Sequence, residues 1–250
     1  MTTEHIAITF FLFFLIAMLY SSVGHAGASG YLAIMALLSF SPESMKPTSL
    51  ILNICVALIA SIKYIRAGYF DKKIFLIFAS TSIPFSFLGG YLSIGLIDFK
   101  LFAGFFLVLS AILLFVRGYI NPIAKEAVAM KPLYGLILGA AIGILSGLIG
   151  VGGGIFLSPI LIMTNWTDIK KASGIAALFI LCNSISALLG HVTAFKQIDF
   201  AIIYWIIAVC LGGILGSYLG TIKMNSKLII LVLFFVLLSA GLKFIFIDSL

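Results

Sequence analysis

Charge is what this 250-residue sequence has least of: Asp, Glu, Lys and Arg make up 9% of it, against 63% hydrophobic residues. A chain so composed cannot cover a water-facing surface with polar groups. That excludes an ordinary soluble domain and leaves an integral membrane protein. Carboxylates are scarcest of all. Glu4, Glu43, Asp71, Asp98, Glu126, Asp168, Asp199 and Asp248 all lie outside the apolar runs, so the intramembrane acid common in proton pumps is missing. Cys55, Cys182 and Cys210 sit in apolar stretches without metal-like spacing and read as small packing residues. No metal or cofactor is expected. There is no H-E-x-x-H, no Walker A and no dinucleotide fingerprint, so ATP-driven work would require a partner chain. No Lys or Arg precedes the first apolar run, and a cleaved leader is not expected.

Eight apolar runs fill the chain, at roughly 6–40, 48–62, 74–97, 101–116, 133–163, 172–195, 200–222 and 228–247. They are too long and continuous for barrel strands, and lipid-exposed backbone must close its own hydrogen bonds. The expected fold is an all-α, polytopic helical bundle in the cell membrane. The net charge of +7 does not indicate nucleic acid, because the basic residues sit in loops and near helix ends, where they report topology and lipid headgroup contact.

The chain is organised around Gly150-Val151-Gly152-Gly153-Gly154, in the middle of the fifth run. Each glycine costs a helix interior about 1 kcal/mol relative to alanine, so the cluster marks a break that exposes backbone N–H groups. A weaker copy, Gly24-His25-Ala26-Gly27-Ala28-Ser29-Gly30, interrupts the first run. Broken segments in corresponding halves are the sequence pointer to a transporter site.

Further matches support two halves. Phe87-Leu88-Gly89-Gly90-Tyr91-Leu92 resembles Ile214-Leu215-Gly216-Ser217-Tyr218-Leu219, Leu109-Ser110-Ala111 resembles Leu238-Ser239-Ala240, and Lys46-Pro47-Thr48 lies over Lys171-Ala172-Ser173. We therefore expect an N-terminal transmembrane repeat over 1–118, an inter-repeat loop over 119–131 and a C-terminal repeat over 132–250. Runs 1 and 5 are too long for one span and too short for two, which suits a re-entrant or discontinuous segment. If both go in and come back, one side collects about eleven Lys and Arg against four, in line with the positive-inside rule. The repeats are then inverted, with both termini outside.

Successive N–H groups at a glycine bend or a half-helix N-terminus form an anion-binding concavity without a buried cation. The candidate substrate-binding residues are Gly24, His25, Gly27, Ser29, Asn53, Gly150, Gly152, Gly153, Gly154 and Asn183. The imidazole of His25 could donate to an oxyanion or carry a coupling proton; a histidine merely hydrogen-bonded within the bundle is the plainer alternative. Asn53 and Asn183 are amides in apolar surroundings, there either for substrate or for helix packing. Thr48 and Ser173 read as helix caps. Gly89, Gly90, Gly139, Gly143, Gly212, Gly213 and Gly216 read as close-packing positions. Tyr91 and Tyr218 either line the pathway or pack, His191 reads as interfacial, and Trp166, Tyr69 and Tyr119 read as interface anchors.

The glycine stretches, with Pro159 after the second and Lys46-Pro47-Thr48-Ser49-Leu50 after the first, resemble the sulfite exporter TauE/SafE family of membrane permeases across essentially the whole chain. The resemblance implies secondary transport of a small anion such as sulfite, thiosulfate or an organosulfonate. His25 and Ser29 stand where the second half has Val151 and Ile155, which makes the site asymmetric. The expected partners are that anion, a coupling proton or sodium ion, membrane lipid and, optionally, a second copy in a homo-oligomer. A passive anion channel is the nearer rival. The G-x-S-G pattern at 27–30 also fits a rhomboid-like intramembrane serine protease with His191 as base, which the serine's apolar repeat partner disfavours. No enzyme activity is expected.

Overall fold

In the computed structural model, residues 3–38, 40–92, 97–116, 128–191 and 202–246 are described. They form α1 (Thr3–Ser21), α2 (Ala28–Leu37), α3 (Pro42–Arg66), α4 (Lys72–Tyr91), α5 (Ile97–Phe115), α6 (Pro132–Ile149), α7 (Gly154–Met163), α8 (Ile169–Gly190), α9 (Ile202–Tyr218) and α10 (Ser226–Phe246). A π-helical turn at Leu219–Lys223 extends α9. Six of the described helices are long and apolar enough to cross a membrane. The expected all-α bundle is what the chain forms. Much of the 119–131 loop, with Tyr119 and Glu126, lies outside the described residues, as do Asp199 and Asp248.

Local chemistry sets the boundaries. Pro42 and Pro132 stand in the first turns of α3 and α6, where the missing N–H is not needed. The Asp71 carboxylate accepts from the N–H groups of Lys73 and Ile74 at 2.9 and 3.0 Å, and Asp168 from that of Lys171 at 2.9 Å, capping α4 and α8. Thr48 and Ser173 are not caps, contrary to expectation. Both lie inside helices that start several residues earlier, and Ser173 donates back to the Ile169 carbonyl.

Runs 1 and 5 are each broken into a long and a short helix. At about 1.5 Å per residue, α1 and α6 measure about 28 and 27 Å, while α2 and α7 reach only about 15 Å, half of a hydrocarbon core of about 30 Å. The chain doubles back at the second break, because the N–H of Val128, just before α6, donates to the carbonyl of Asn165, just after α7, at 2.8 Å.

Glycines fix the helix directions. A Cβ on Gly139, Gly143 or Gly147 of α6 would overlap Phe78, Ser82 or Ser86 of α4 in turn, so these helices run parallel. Gly212, Gly216 and Gly220 meet Phe14, Met18 and Ser22 in the same way, making α9 parallel to α1. Gly241 meets Gly104 and Val108 while Phe115 stacks on Phe234 at 4.8 Å, so α5 and α10 are antiparallel. The pair α3 and α8 packs at the centre and touches α9 and α4 respectively.

One end of the bundle gathers the basic turns. Lys170 Nζ donates to Tyr69 Oη and to the Thr221 carbonyl, each at 3.3 Å, drawing together the turns after α3, α7 and α9. Lys63, Arg66, Lys72, Lys73, Lys131, Lys171, Lys223 and Lys227 flank these turns. Since α1 ends where α9 ends and α10 starts there, the beginning of α1 and the end of α10 lie at the opposite, terminal end.

Close approach depends on absent side chains. The Cβ of Gly216→Ala would overlap the Met18 carbonyl and the Ser21 hydroxyl, whereas that of Gly213→Ala would meet nothing nearer than Val56 Cγ1 at 3.4 Å. Gly216→Ala is expected to lower stability in detergent by about 1–3 kcal/mol, with Gly213→Ala nearly neutral, read as the monodisperse fraction remaining after heating.

Candidate functional site

The second break is built from left-handed glycines. Gly150, Gly152 and Gly153 have φ of 81°, 74° and 78°, a conformation that costs residues with a Cβ. Space gives a second reason: a Cβ on Gly152 would sit 2.7 Å from Ile180 Cγ2, 2.8 Å from Ser184 Oγ and 3.1 Å from Asn53 Nδ2. In the first break Gly24 and Gly27 have φ of 76° and 102°, and Gly24 lies against the Ser173 backbone.

The two breaks leave part of their backbone unpaired. Several carbonyls are met by side chains: Tyr64 Oη donates to Ser22 at 2.7 Å, Tyr31 Oη to Ala26 at 2.7 Å and Ser49 Oγ to Gly150 at 3.3 Å. His25 Nε2 stands 3.0 Å from the Gly154 carbonyl and 3.1 Å from Ser158 Oγ. The carbonyl needs a donor, so the proton belongs on Nε2 and Nδ1 carries the lone pair. The N–H groups of Ala26, Gly27, Val151, Gly152 and Gly153 find no acceptor among the described residues, and the carbonyls of Val23, Gly24, His25, Val151 and Gly152 find no donor there. Both α2 and α7 add the positive end of a helix dipole.

Side chains around the second break are also donors. Asn53 is fully buried, and its Nδ2 lies 3.5 Å from Ser184 Oγ, leaving its second N–H uncommitted and its Oδ1 without a partner among the described residues. Ser146 is fully buried with an unpartnered hydroxyl, and its Cβ lies 3.3 Å from the place of a Gly153 Cβ. The first break is filled by its own neighbours. Gly27 and Gly30 face Ile16, and Ser29 Oγ lies 2.9 Å from Tyr20 Oη. Of the first stretch, His25 is the residue that reaches across. The breaks are staggered, the first lying against Ser173 near the basic end and the second against Lys46 and Ser49 nearer the terminal end.

The two asparagines part company. Asn53 faces the second break, while Asn183 turns to α4: Ser82 Oγ donates to its Oδ1 at 2.8 Å and Ser86 Oγ to its carbonyl at 2.9 Å. The Asn183 Nδ2 is buried and unpartnered. Tyr91 and Tyr218 are exposed on the outside of the bundle. Trp166 packs on Phe78 with ring centroids 6.2 Å apart, and Tyr69 receives Lys170. Ser29 pairs with a tyrosine, not with a histidine, which removes the geometric basis for a serine protease. Among the described residues no three His, Cys, Asp or Glu side chains gather as metal ligands. Sequence reasoning missed Ser146, Ser158 and Lys46. Serines carry no signal alone, but Ser158 stands one turn into the half-helix that starts at Gly154.

Lipid-length helices with an apolar exterior, interrupted inside by two glycine breaks, define a multi-pass helical membrane protein. Comparison with known proteins narrows this. The family model for the sulfite exporter TauE/SafE matches residues 9–244, and the chain belongs to that family of membrane transporters. It is 36% identical to a probable membrane transporter protein, y4hK of Sinorhizobium fredii, over 97% of this chain and 99% of that one. It is 29% identical to the probable membrane transporter protein MJ0441 of Methanocaldococcus jannaschii over 72% and 69% of the two chains. Its identity to YunE of Bacillus subtilis, also a probable membrane transporter protein, is 25% over 82% of each. No solved structure matches the chain at a significant level.

The His25 bridge can be tested by stability. His25→Ala strips the donor from the Gly154 carbonyl and the partner from Ser158, and should cost about 1–3 kcal/mol. Ser158→Ala, which leaves the Gly154 bond in place, should cost clearly less. The shift in thermal unfolding in detergent decides.

Proposed function

We propose that the chain is a secondary active transporter of a small oxyanion, of the sulfite, thiosulfate or organosulfonate class, working by alternating access. The observation that carries this is the cluster of unpaired donors at the second break. Backbone N–H groups of Val151, Gly152 and Gly153, with Asn53 Nδ2, Ser184 Oγ and Ser146 Oγ, gather buried donors where no carboxylate lies among the described residues. Each unmet buried donor costs about 1–3 kcal/mol, and an oxyanion with several acceptor oxygens offsets several at once. Sulfur chemistry comes from the family's name; the geometry supports an oxyanion.

The two halves, 1–118 and 132–250, act in this reading as inverted repeats joined by 119–131. In support, exchanging the halves turns the parallel pair α1/α9 into α6/α4 and leaves α3/α8 and α5/α10 as pairs. Rocking of one repeat against the other would open the staggered breaks to alternate sides. With no acidic relay in the apolar runs, coupling falls to a proton on His25 Nδ1, a proton on the substrate, or sodium at backbone carbonyls. A passive anion channel is the second reading, since freed N–H groups could also line a pore.

Purified protein in liposomes should move sulfite or thiosulfate with saturation and counter-transport. Current without saturation would favour the channel, and background flux for every anion under proton and sodium gradients would remove both readings. Gly152→Ala should reduce flux to background in folded protein. Asn53→Leu should raise the anion KM about tenfold, the worth of one hydrogen bond to a charge. A reporter fused after Leu250 should read outside, since the basic end faces inward by the positive-inside rule; an inside result would break the topology.

A further inference from the structure

Lys46 has a place of its own. It stands in the second turn of α3 at the terminal end, with its stem against the left-handed Gly150: a Cβ there would come 2.9 Å from Lys46 Cγ. Its ammonium has no carboxylate partner among the described residues. Its titratable neighbour is a second nitrogen base. His191, at the C-cap of α8, feels Lys46 electrostatically: burial first and Lys46 second hold its imidazole below the ordinary histidine range, while a hydrogen bond with the Gly90 backbone works the other way. Asn53 meets Ser184 while Gly174 meets Tyr64 and Tyr69, so α3 and α8 are antiparallel and Lys46 and His191 lie at the same end of the pair, both half-buried. An ammonium and an imidazole there, with no acid partner among the described residues, suit a bound anion.

The helix phase adds direction. Lys46, Ser49 and Asn53 are spaced i, i+3 and i+7, one face of α3. Each touches the second break, Lys46 at Gly150, Ser49 at the Gly150 carbonyl and Asn53 beside Gly152. The stripe covers about 10 Å of helix axis, from the terminal end of α3 to the donor cluster inside.

We propose that Lys46 and His191 form a capture site for the oxyanion at the terminal mouth, and that the Lys46–Ser49–Asn53 face of α3 hands the anion on to the second glycine break. This rests on the transport reading above and adds a second station to it. The capture site is specific for negative charge, whereas the inner cluster recognises acceptor oxygens through neutral donors. The two stations therefore respond to different changes in the ligand and in the protein.

The test uses the full-length protein in liposomes of known orientation, with sulfite and, separately, methanesulfonate as probes. Lys46→Gln keeps most of the stem over Gly150 and removes the charge. It should raise the anion KM about tenfold when substrate is offered from the terminal face, with the KM from the basic face unchanged within twofold. Lys46→Arg should restore most of the terminal-face affinity. His191→Gln should show the same one-sided loss, smaller in size. An unchanged terminal-face KM in Lys46→Gln, or equal losses from both faces, would overturn the capture site. So would a Lys46→Arg variant no better than Lys46→Gln. The two readings fail differently: wild-type flux at background strikes at transport itself, while normal wild-type flux with an unaffected Lys46→Gln strikes at this inference alone. Recovery of each variant as a monodisperse species keeps misfolding from imitating the result.

Discussion

Backbone amides freed inside an apolar bundle have no water to turn to, and the whole site follows from how this chain meets that constraint. It meets it unevenly. The carbonyls of Ser22, Ala26, Gly150 and Gly154 are each claimed by a buried tyrosine, serine or histidine. The N–H groups beside them are left over. Here four carbonyls are covered by side chains, and the freed N–H groups of Val151, Gly152 and Gly153 gather beside Asn53 Nδ2 and Ser184. Glycine makes this feasible twice over: it tolerates the left-handed turn, and it lets Ile180, Ser184 and Asn53 close in to within contact of the Gly152 backbone.

The same economy of side chain holds the helices around the breaks. Glycines at successive turns of α6 and α9 let backbones touch α4 and α1, as membrane interfaces without a hydrophobic driving force require. Where side chains remain they are hydroxyls that reach neighbouring backbone. Ser82 and Ser86 fasten α4 to Asn183, and Ser186 donates back to the Ile83 carbonyl at 2.6 Å. Such contacts are weak individually, and they are distributed along the seam between α4 and α8. His25 differs in linking the two breaks directly, through Gly154 and Ser158.

Much of this was legible in the sequence, for identifiable reasons. Glycine clusters within long apolar runs announce a break because no other residue needs to be there, and run lengths between one span and two announced the short α2 and α7. The distribution of lysines located the basic end, now seen in the Lys170 contacts to Tyr69 and Thr221. The family resemblance rested on the same glycines and was correct. What escaped depended on helix phase. Asn53 and Asn183 look equivalent as letters, yet one faces a glycine break and the other a neighbouring helix. The stretch from Ser41 to Thr48 reads as a polar loop, which made Thr48 a cap; with Pro42 in the first turn the helix begins early and Thr48 falls inside it. Ser146 and Ser158 are ordinary membrane-helix serines until the fold sets them beside Gly153 and His25.

Neutral donors at the centre and a cation at the mouth divide the work in a way a single buried charge could not. A lysine fixed beside Gly152 would cost several kcal/mol to desolvate and, once paired with an oxyanion, would hold it too firmly for release. Dipoles bind by geometry and can be withdrawn by a small rotation of the helices that carry them. Passage requires binding that is favourable on arrival and weak on departure. Placing Lys46 about seven residues, roughly 10 Å of helix, from Asn53 gives long-range attraction at the terminal end while leaving the inner contact set by hydrogen-bond alignment alone. In the proposed cycle that alignment would depend on the left-handed turns at Gly150, Gly152 and Gly153, so a displacement of α7 relative to α3 would let the anion go.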